Sequence, residues 1–175
     1  PLEPQSERIP GSLCFAGGIS KQWNHDKIIR AIEEIDGCSY ILCGSNDEGY
    51  LEELKKLPGW EKVDYRGRLP HEEISGILKS CQIGLSVLSY SHNTSFHTGT
   101  MGNTKIFEEM MAGLPVICTD FDLWRDFVER YECGICVNPE CLQEISDAIR
   151  YLIKHPEEAI RMGSNGRRAA EQEFN

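Results

Sequence analysis

The sequence has no surplus of positive charge: 18 Lys and Arg stand against 28 Asp and Glu, for a formal net charge of -10 over 175 residues. Nucleic-acid affinity rests on many basic contacts to phosphate, so this balance argues against DNA, RNA and anionic membrane surfaces as partners. Also missing is any apolar run near the roughly 18 residues of a membrane-spanning helix, or a charged-then-apolar leader, and the chain reads as a soluble domain without a transmembrane segment. It is too short to expect two independent cores. No internal repeat is evident. Of the eight cysteines, Cys14, Cys43, Cys118 and Cys136 lie inside apolar runs and read as buried, reduced thiols. The lone CxxC of Cys133 and Cys136, with Cys141 after it, lacks the second pair that a structural zinc site requires, so no metal is expected.

What is present is a regular alternation. The opening PLEPQSERIPG is Pro-rich and aperiodic and reads as a linker over residues 1–11, with one domain over 12–175. After it, short apolar runs alternate with helical patterns: SLCFA and DKIIRAIEEI, YILCG and EGYLEELKKL, KVDYRG and HEEISGILKS, QIGLSVL and TKIFEEMMA, PVICT and LWRDFVERY, GICVN and CLQEISDAIRYLI. Six strand-helix units in series predict an α/β fold, a Rossmann-like doubly wound and mostly parallel sheet with helices on both faces. Carboxylates Glu72 and Glu73 suit the first turn of their helix, Gly113 and Pro115 end another, and His155-Pro156 closes a third and opens one through Met162. The stripes Ile28, Ile32, Ile35 and Ile145, Ile149, Leu152 read as core, and Trp60, Trp124 and Tyr131 as packing residues.

In open parallel sheets ligands bind beyond the C-terminal ends of the strands, so the loops there carry the candidates. Gly17 and Gly18 follow the first run; lacking side chains, they could let backbone N–H groups approach a diphosphate, or could simply make a tight turn. The stretch from Ser89 to Thr104 is long for such a unit and polar, and leads into a helix with Lys105 in its first turn. A cation there is unfavourable for the isolated helix and makes sense beside an anion, or as a solvated residue. Glu108 and Glu109 point about 100 degrees apart on that helix, so one of them faces the strand ends. A carboxylate there suits a ribose diol, and Glu108 is assigned that role. His71, His92 and His97 read as solvated loop residues.

At GNTKIFEEMMAGLPVICTDF the sequence resembles the donor-binding helix of family 4 glycosyltransferases, with Glu108 and Gly113-Leu114-Pro115-Val116 in register. FAGGIS, YILCGSND, VDYRGRLPHEEISGILKSCQIGLSVL, CGICVNP and MGSNGRRAAEQEFN follow in the family's order, so the resemblance covers nearly the whole chain after Ile9. It implies the C-terminal half of a GT-B fold and a retaining, nucleotide-sugar-dependent hexosyl transfer without a metal or other cofactor. Glu108 would hold the ribose, Gly17-Gly18 would pack on the diphosphate, backbone around Arg66-Gly67 would meet the base, and Gly102, Asn103 and Thr104 would complete the donor site. The family's second glutamate, eight positions before the first, is Thr100 here. Its phosphate-binding Arg falls at Gly18 and its Lys at Trp23 or Asn24, so Lys21 and Lys105 are taken as the catalytic cations. The resemblance further implies an absent N-terminal acceptor domain, an inactive isolated domain, and a cytoplasmic setting or membrane association through that absent domain. The donor would be UDP-, GDP- or ADP-linked. Two other readings stay open: a non-catalytic docking or regulatory module of the same fold, and an epimerase-like or phosphorylase enzyme on it.

Overall fold

The computed structural model describes residues 8–46 and 48–173. Its elements alternate as β1 (Ser12–Ala16), α1 (His25–Glu33), β2 (Ser39–Cys43), α2 (Glu48–Lys55), β3 (Val63–Gly67), α3 (His71–Ser80), β4 (Ile83–Ser86), α4 (Lys105–Met111), β5 (Val116–Thr119), α5 (Asp122–Tyr131), β6 (Gly134–Val137), α6 (Leu142–Lys154) and α7 (Pro156–Glu173). Short 3-10 turns at Lys21–Trp23, Pro58–Lys62 and His92–Thr94 were not foreseen from periodicity, which cannot register elements of three to five residues.

The six strands form one sheet in the order β3-β2-β1-β4-β5-β6, every neighbouring pair parallel. This is the Rossmann-like α/β architecture expected, and its strand order reverses direction between β1 and β4. The apolar runs are continuous because both sheet faces are covered. Along β1 and β2, Leu13, Phe15, Tyr40 and Leu42 join Ile28, Ile29 and Ile32 of α1 in one cluster. The alternate positions Cys14, Ile41 and Cys43 meet Ile77 and Leu78 of α3 in another. Burying each such Ile or Leu contributes roughly 1.5–3 kcal/mol. Helix α6 packs beside α1 on one face, and α7 beside α4 on the other.

Residues 1–7 of the expected linker lie outside the described residues, as do Asp47, Phe174 and Asn175. The rest of that segment is built into the domain. The buried Arg8 guanidinium donates to the Leu78 and Cys81 carbonyls at 3.1 and 2.7 Å and to that of Ala112 at 2.7 Å, fastening the ends of α3 and α4 together. Six cysteines are buried and two half-buried, none in a disulfide. Among the described residues no cluster of His, Cys, Asp or Glu is arranged to hold a metal, and no helix is long and apolar enough to cross a membrane.

Candidate functional site

The strand order reverses between β1 and β4, the place beyond the C-terminal strand ends where open parallel sheets bind ligands, and the two chain exits there are tied by the Ser89 N–H donating to the Gln22 carbonyl at 2.8 Å. The first loop, Gly17 to Ser20, is pinned to β2 and its exit: the Gly17 N–H donates to the Cys43 carbonyl at 2.9 Å and the Ile19 N–H to that of Ser45 at 2.8 Å. Gly17 therefore spends its N–H inside the sheet, whereas Gly18 has no atom within 4 Å of where a Cβ would stand. Gly17 adopts a φ of 156°, which L side chains rarely take, and a Cβ there would also lie 1.9 Å from the Lys105 Nζ, so the loop and that side chain are closely apposed. Lys105 reaches from the start of α4 to the end of β1, donating to the Ala16 carbonyl at 3.2 Å. Its ammonium lies 5.2 and 5.5 Å from the Phe15 and Trp23 ring centres. Burial lowers its pKa from the ordinary lysine value, opposed by the neighbouring charges of Glu108 and Glu109. An ammonium has three protons to give, so one held by a single carbonyl beside two rings is equipped to receive an anion.

Helix phase separates the two glutamates. Glu108 is exposed and, with Thr104 and Phe107, lines a cavity of about 410 Å³ between α3, α4 and α7, which His71, Ile74 and Arg167 also line. Glu109 points the other way and is 4% exposed, its Oε1 accepting from the Ser86 hydroxyl at 2.7 Å while Oε2 has no hydrogen-bond partner. Burial pushes its carboxyl up to about 8, against the Ser86 hydrogen bond and the Lys105 charge. The side chain fits because β4 offers small residues on that face: a Cβ on Gly84 would meet Glu109 Oε2 at 2.4 Å. Before the helix, Asn103 Oδ1 accepts the Lys105 N–H at 3.0 Å, so the helix start is already partly capped. Gly102 faces open space.

Other sequence candidates are dispersed. Lys21, 75% exposed, lies 3.9 Å from Glu53 of α2 and lines a second cavity with Asn24, Lys27 and Tyr50, apart from Lys105. The Arg66 guanidinium pairs with Asp64 at 2.9 Å, while Gly67 adopts a left-handed φ of 68° and its carbonyl accepts the Gly44 N–H at 2.8 Å. His71, His92 and His97 are exposed. The long loop after β4 is pinned to α5: the His97 and Thr98 carbonyls accept the Asp122 and Leu123 N–H groups at 2.8 and 3.1 Å, and the Thr100 carbonyl accepts the Trp124 indole N–H at 2.9 Å.

Sequence reasoning missed His25, Ser86 and the rings around Lys105. His25 is fully buried against Tyr40, with Nδ1 2.8 Å from the hydroxyl and Nε2 unpartnered. Burial first, then the Lys105 charge, lower its pKa to about 3. An alternation count shows that Phe15 is buried, but nothing local announces that its ring will meet a lysine from 90 residues later in the chain.

The model of the family described as Glycosyl transferases group 1 matches residues 5–169. No curated protein matches the chain. Among solved structures, HepE of Anabaena, in complex with UDP and glucose, superposes with a TM-score of 0.81 at 20% identity, covering 95% of this chain and 45% of that one. TarM of S. aureus, as a mutant in complex with UDP and other ligands, gives 0.80 at 13%, covering 98% and 34%. The C-terminal domain of LpcC, a glycosyl transferase group 1 family protein of Francisella tularensis, gives 0.76 at 19%, covering 98% of this chain and 90% of that one. The chain thus spans under half of the longer neighbours and nearly all of the separate C-terminal domain.

Proposed function

Because this chain belongs to the group 1 glycosyl transferases, we propose that it is the donor-binding half of a retaining, nucleotide-sugar-dependent hexosyl transferase. The reading rests on one observation: a cation and an exposed carboxylate three residues apart stand at the start of α4, Lys105 reaching the end of β1 and Glu108 lining the cavity between α3, α4 and α7. Lys105 meets the diphosphate beneath the Gly17-Gly18 loop, and Glu108 accepts hydrogen bonds from the ribose hydroxyls. Backbone at Arg66-Gly67 borders the base, and Gly102 to Thr104 close the site beside Glu108. That HepE holds UDP on the same fold supports a nucleoside diphosphate as the ligand.

Chemically, departure of a nucleoside diphosphate from the sugar builds negative charge on the leaving phosphate. A fixed, half-buried ammonium stabilises that charge without reorganising, and the remaining contribution is orientation of the donor. Lys105 is the cation offered, and the reading asks for no metal or other cofactor. Lys21, paired with Glu53, has no part in it. The acceptor is read by a further N-terminal domain, so the isolated chain binds donor without transferring it.

Calorimetric titration with UDP, GDP and ADP tests the reading. One nucleotide should bind saturably, and Glu108→Ala should weaken it by about 10–100-fold, the equivalent of one or two charge-assisted hydrogen bonds. The melting temperature should not change, since Glu108 is exposed. Unaltered affinity in that variant would remove Glu108 from the site.

A further inference from the structure

Lys105 and Glu109 stand one turn apart on the same side of α4, a spacing at which lysine and glutamate ordinarily reach each other. Here they are not paired. Among the described residues the Lys105 ammonium takes the Ala16 carbonyl and the two rings, and Glu109 takes the Ser86 hydroxyl with one carboxyl oxygen left over in the core. Gly84 and Ser86 confine that oxygen beneath β4. A second titratable group with an unpartnered buried atom, His25, lies beyond the Phe15 ring, whose centre is 4.6 Å from the imidazole.

A buried carboxylate with an empty oxygen is disfavoured as the anion. The charges it senses are Lys105 and Glu108 on its own helix, the first favouring ionisation and the second opposing it. Cys14 on β1, Tyr40 on β2 and Cys118 on β5 are also within its field. All three stay protonated through the neutral range, the cysteines because a thiol hydrogen bond and burial raise them and the tyrosine because burial does.

Resting on the nucleotide-binding reading above, we propose that Glu109 is a positioning residue for Lys105: neutral, it leaves the ammonium raised to the Gly17 loop, and ionised, it competes with a bound diphosphate for that ammonium. The sign follows from linkage. A diphosphate at Lys105 makes a nearby carboxylate less favourable, so the complex holds the Glu109 proton more tightly than the free protein does. Affinity is complete while Glu109 is neutral, falls as pH rises through about 8, and binding in that range takes up a proton.

Titrating UDP between about pH 6.5 and 9.5, in buffers of different ionisation enthalpy, tests this. Wild type should lose affinity about 3–10-fold across the range and take up protons near the midpoint. Glu109→Gln, which keeps the shape and a neutral side chain, should match wild type at neutral pH and stay flat above it. Ser86→Ala, which removes the hydrogen bond that favours ionisation, should move the midpoint to higher pH. A Glu109→Gln profile that parallels a falling wild-type profile, or a flat wild-type profile, overturns the proposal while leaving nucleotide binding intact. Absence of UDP binding at every pH overturns the UDP-site reading and this proposal with it. Carbon NMR of the Glu109 carboxyl in the ligand-free protein is the independent readout: a midpoint near 8 is expected, and one in the ordinary carboxylate range overturns the proposal whatever the nucleotide does.

Discussion

His25 shows how much one side chain can stake on staying neutral. Its ring is enclosed by Phe15, Tyr40 and Tyr50, and it keeps a single hydrogen bond, to the Tyr40 hydroxyl. Because its pKa is lowered from 6.5 to about 3 on folding, the unfolded chain binds the extra proton first. Its contribution to stability is therefore complete above pH 6.5 and lost progressively as pH falls toward 3. Between pH 7 and pH 5 this amounts to roughly 2 kcal/mol. His25→Phe should lie below wild type in melting temperature at pH 7, because the Tyr40 hydroxyl loses its partner, and should close that gap as pH falls to 5. Parallel declines would mean that His25 is not the titrating group. This residue and Glu109 mark what a sequence conceals about the site. Glu108 and Glu109 can be told apart by helix phase, and the structure exposes one and buries the other. That Glu109 ends under Gly84 and Ser86 depends on a contact across 23 residues, which no local pattern encodes. The surroundings of Lys21 are hidden for the same reason: Glu53, 3.9 Å away, comes from α2.

At the scale of elements, the strands were readable because each is a continuous apolar run between helices, and the helices because their apolar spacing is strong. Helix α7 is the exception. Gly163 and Gly166 suggest a stop after Met162, yet the helix continues to Glu173, since these glycines serve contact and not termination. With Ala159 and Ala170 they are buried on α7, which lies along α4. A Cβ at Gly163 would meet the Gly113 carbonyl oxygen at 2.1 Å, whereas at Gly166 the nearest atom is the Cys133 Cβ at 3.2 Å. Gly113, at a left-handed φ of 78°, lies at the C-terminal end of α4, so the contact helps seat the helix that carries Lys105 and Glu108. Gly163→Ala gains about 1 kcal/mol of helix propensity and must displace backbone, an overpacking cost of about 1–3 kcal/mol. We expect a net fall in melting temperature of a few degrees, with a smaller change for Gly166→Ala. Thermal unfolding followed by circular dichroism decides it, and a rise for Gly163→Ala would show that α7 can move away from α4 without loss.

At the scale of the molecule, the two halves of the sheet meet only at the β1–β4 pair, and Lys105 reaches the end of β1 at that seam. Whether they unfold together is thus a question about the site as well as the fold. The largest core cluster crosses the seam, joining Leu13, Phe15 and Trp23 of one half to Leu85, Ile117 and Trp124 of the other. Asn24 adds a polar tie, its side-chain N–H donating to the Val87 carbonyl at 2.9 Å. With one core and a polar tie across the seam, the two halves are expected to unfold as one unit. In urea, tryptophan fluorescence, which reports buried Trp23 and Trp124 together with half-buried Trp60, and far-ultraviolet circular dichroism should follow a single transition with a slope of roughly 2 kcal/mol per molar. Bound nucleotide should move both midpoints upward together, since a ligand that binds only the folded state stabilises whatever unit contains its site. If fluorescence changes first while helix content persists, the seam opens before the halves melt. Lys105 would then lose Ala16, Phe15 and Trp23 in the first step, and nucleotide would protect only that step.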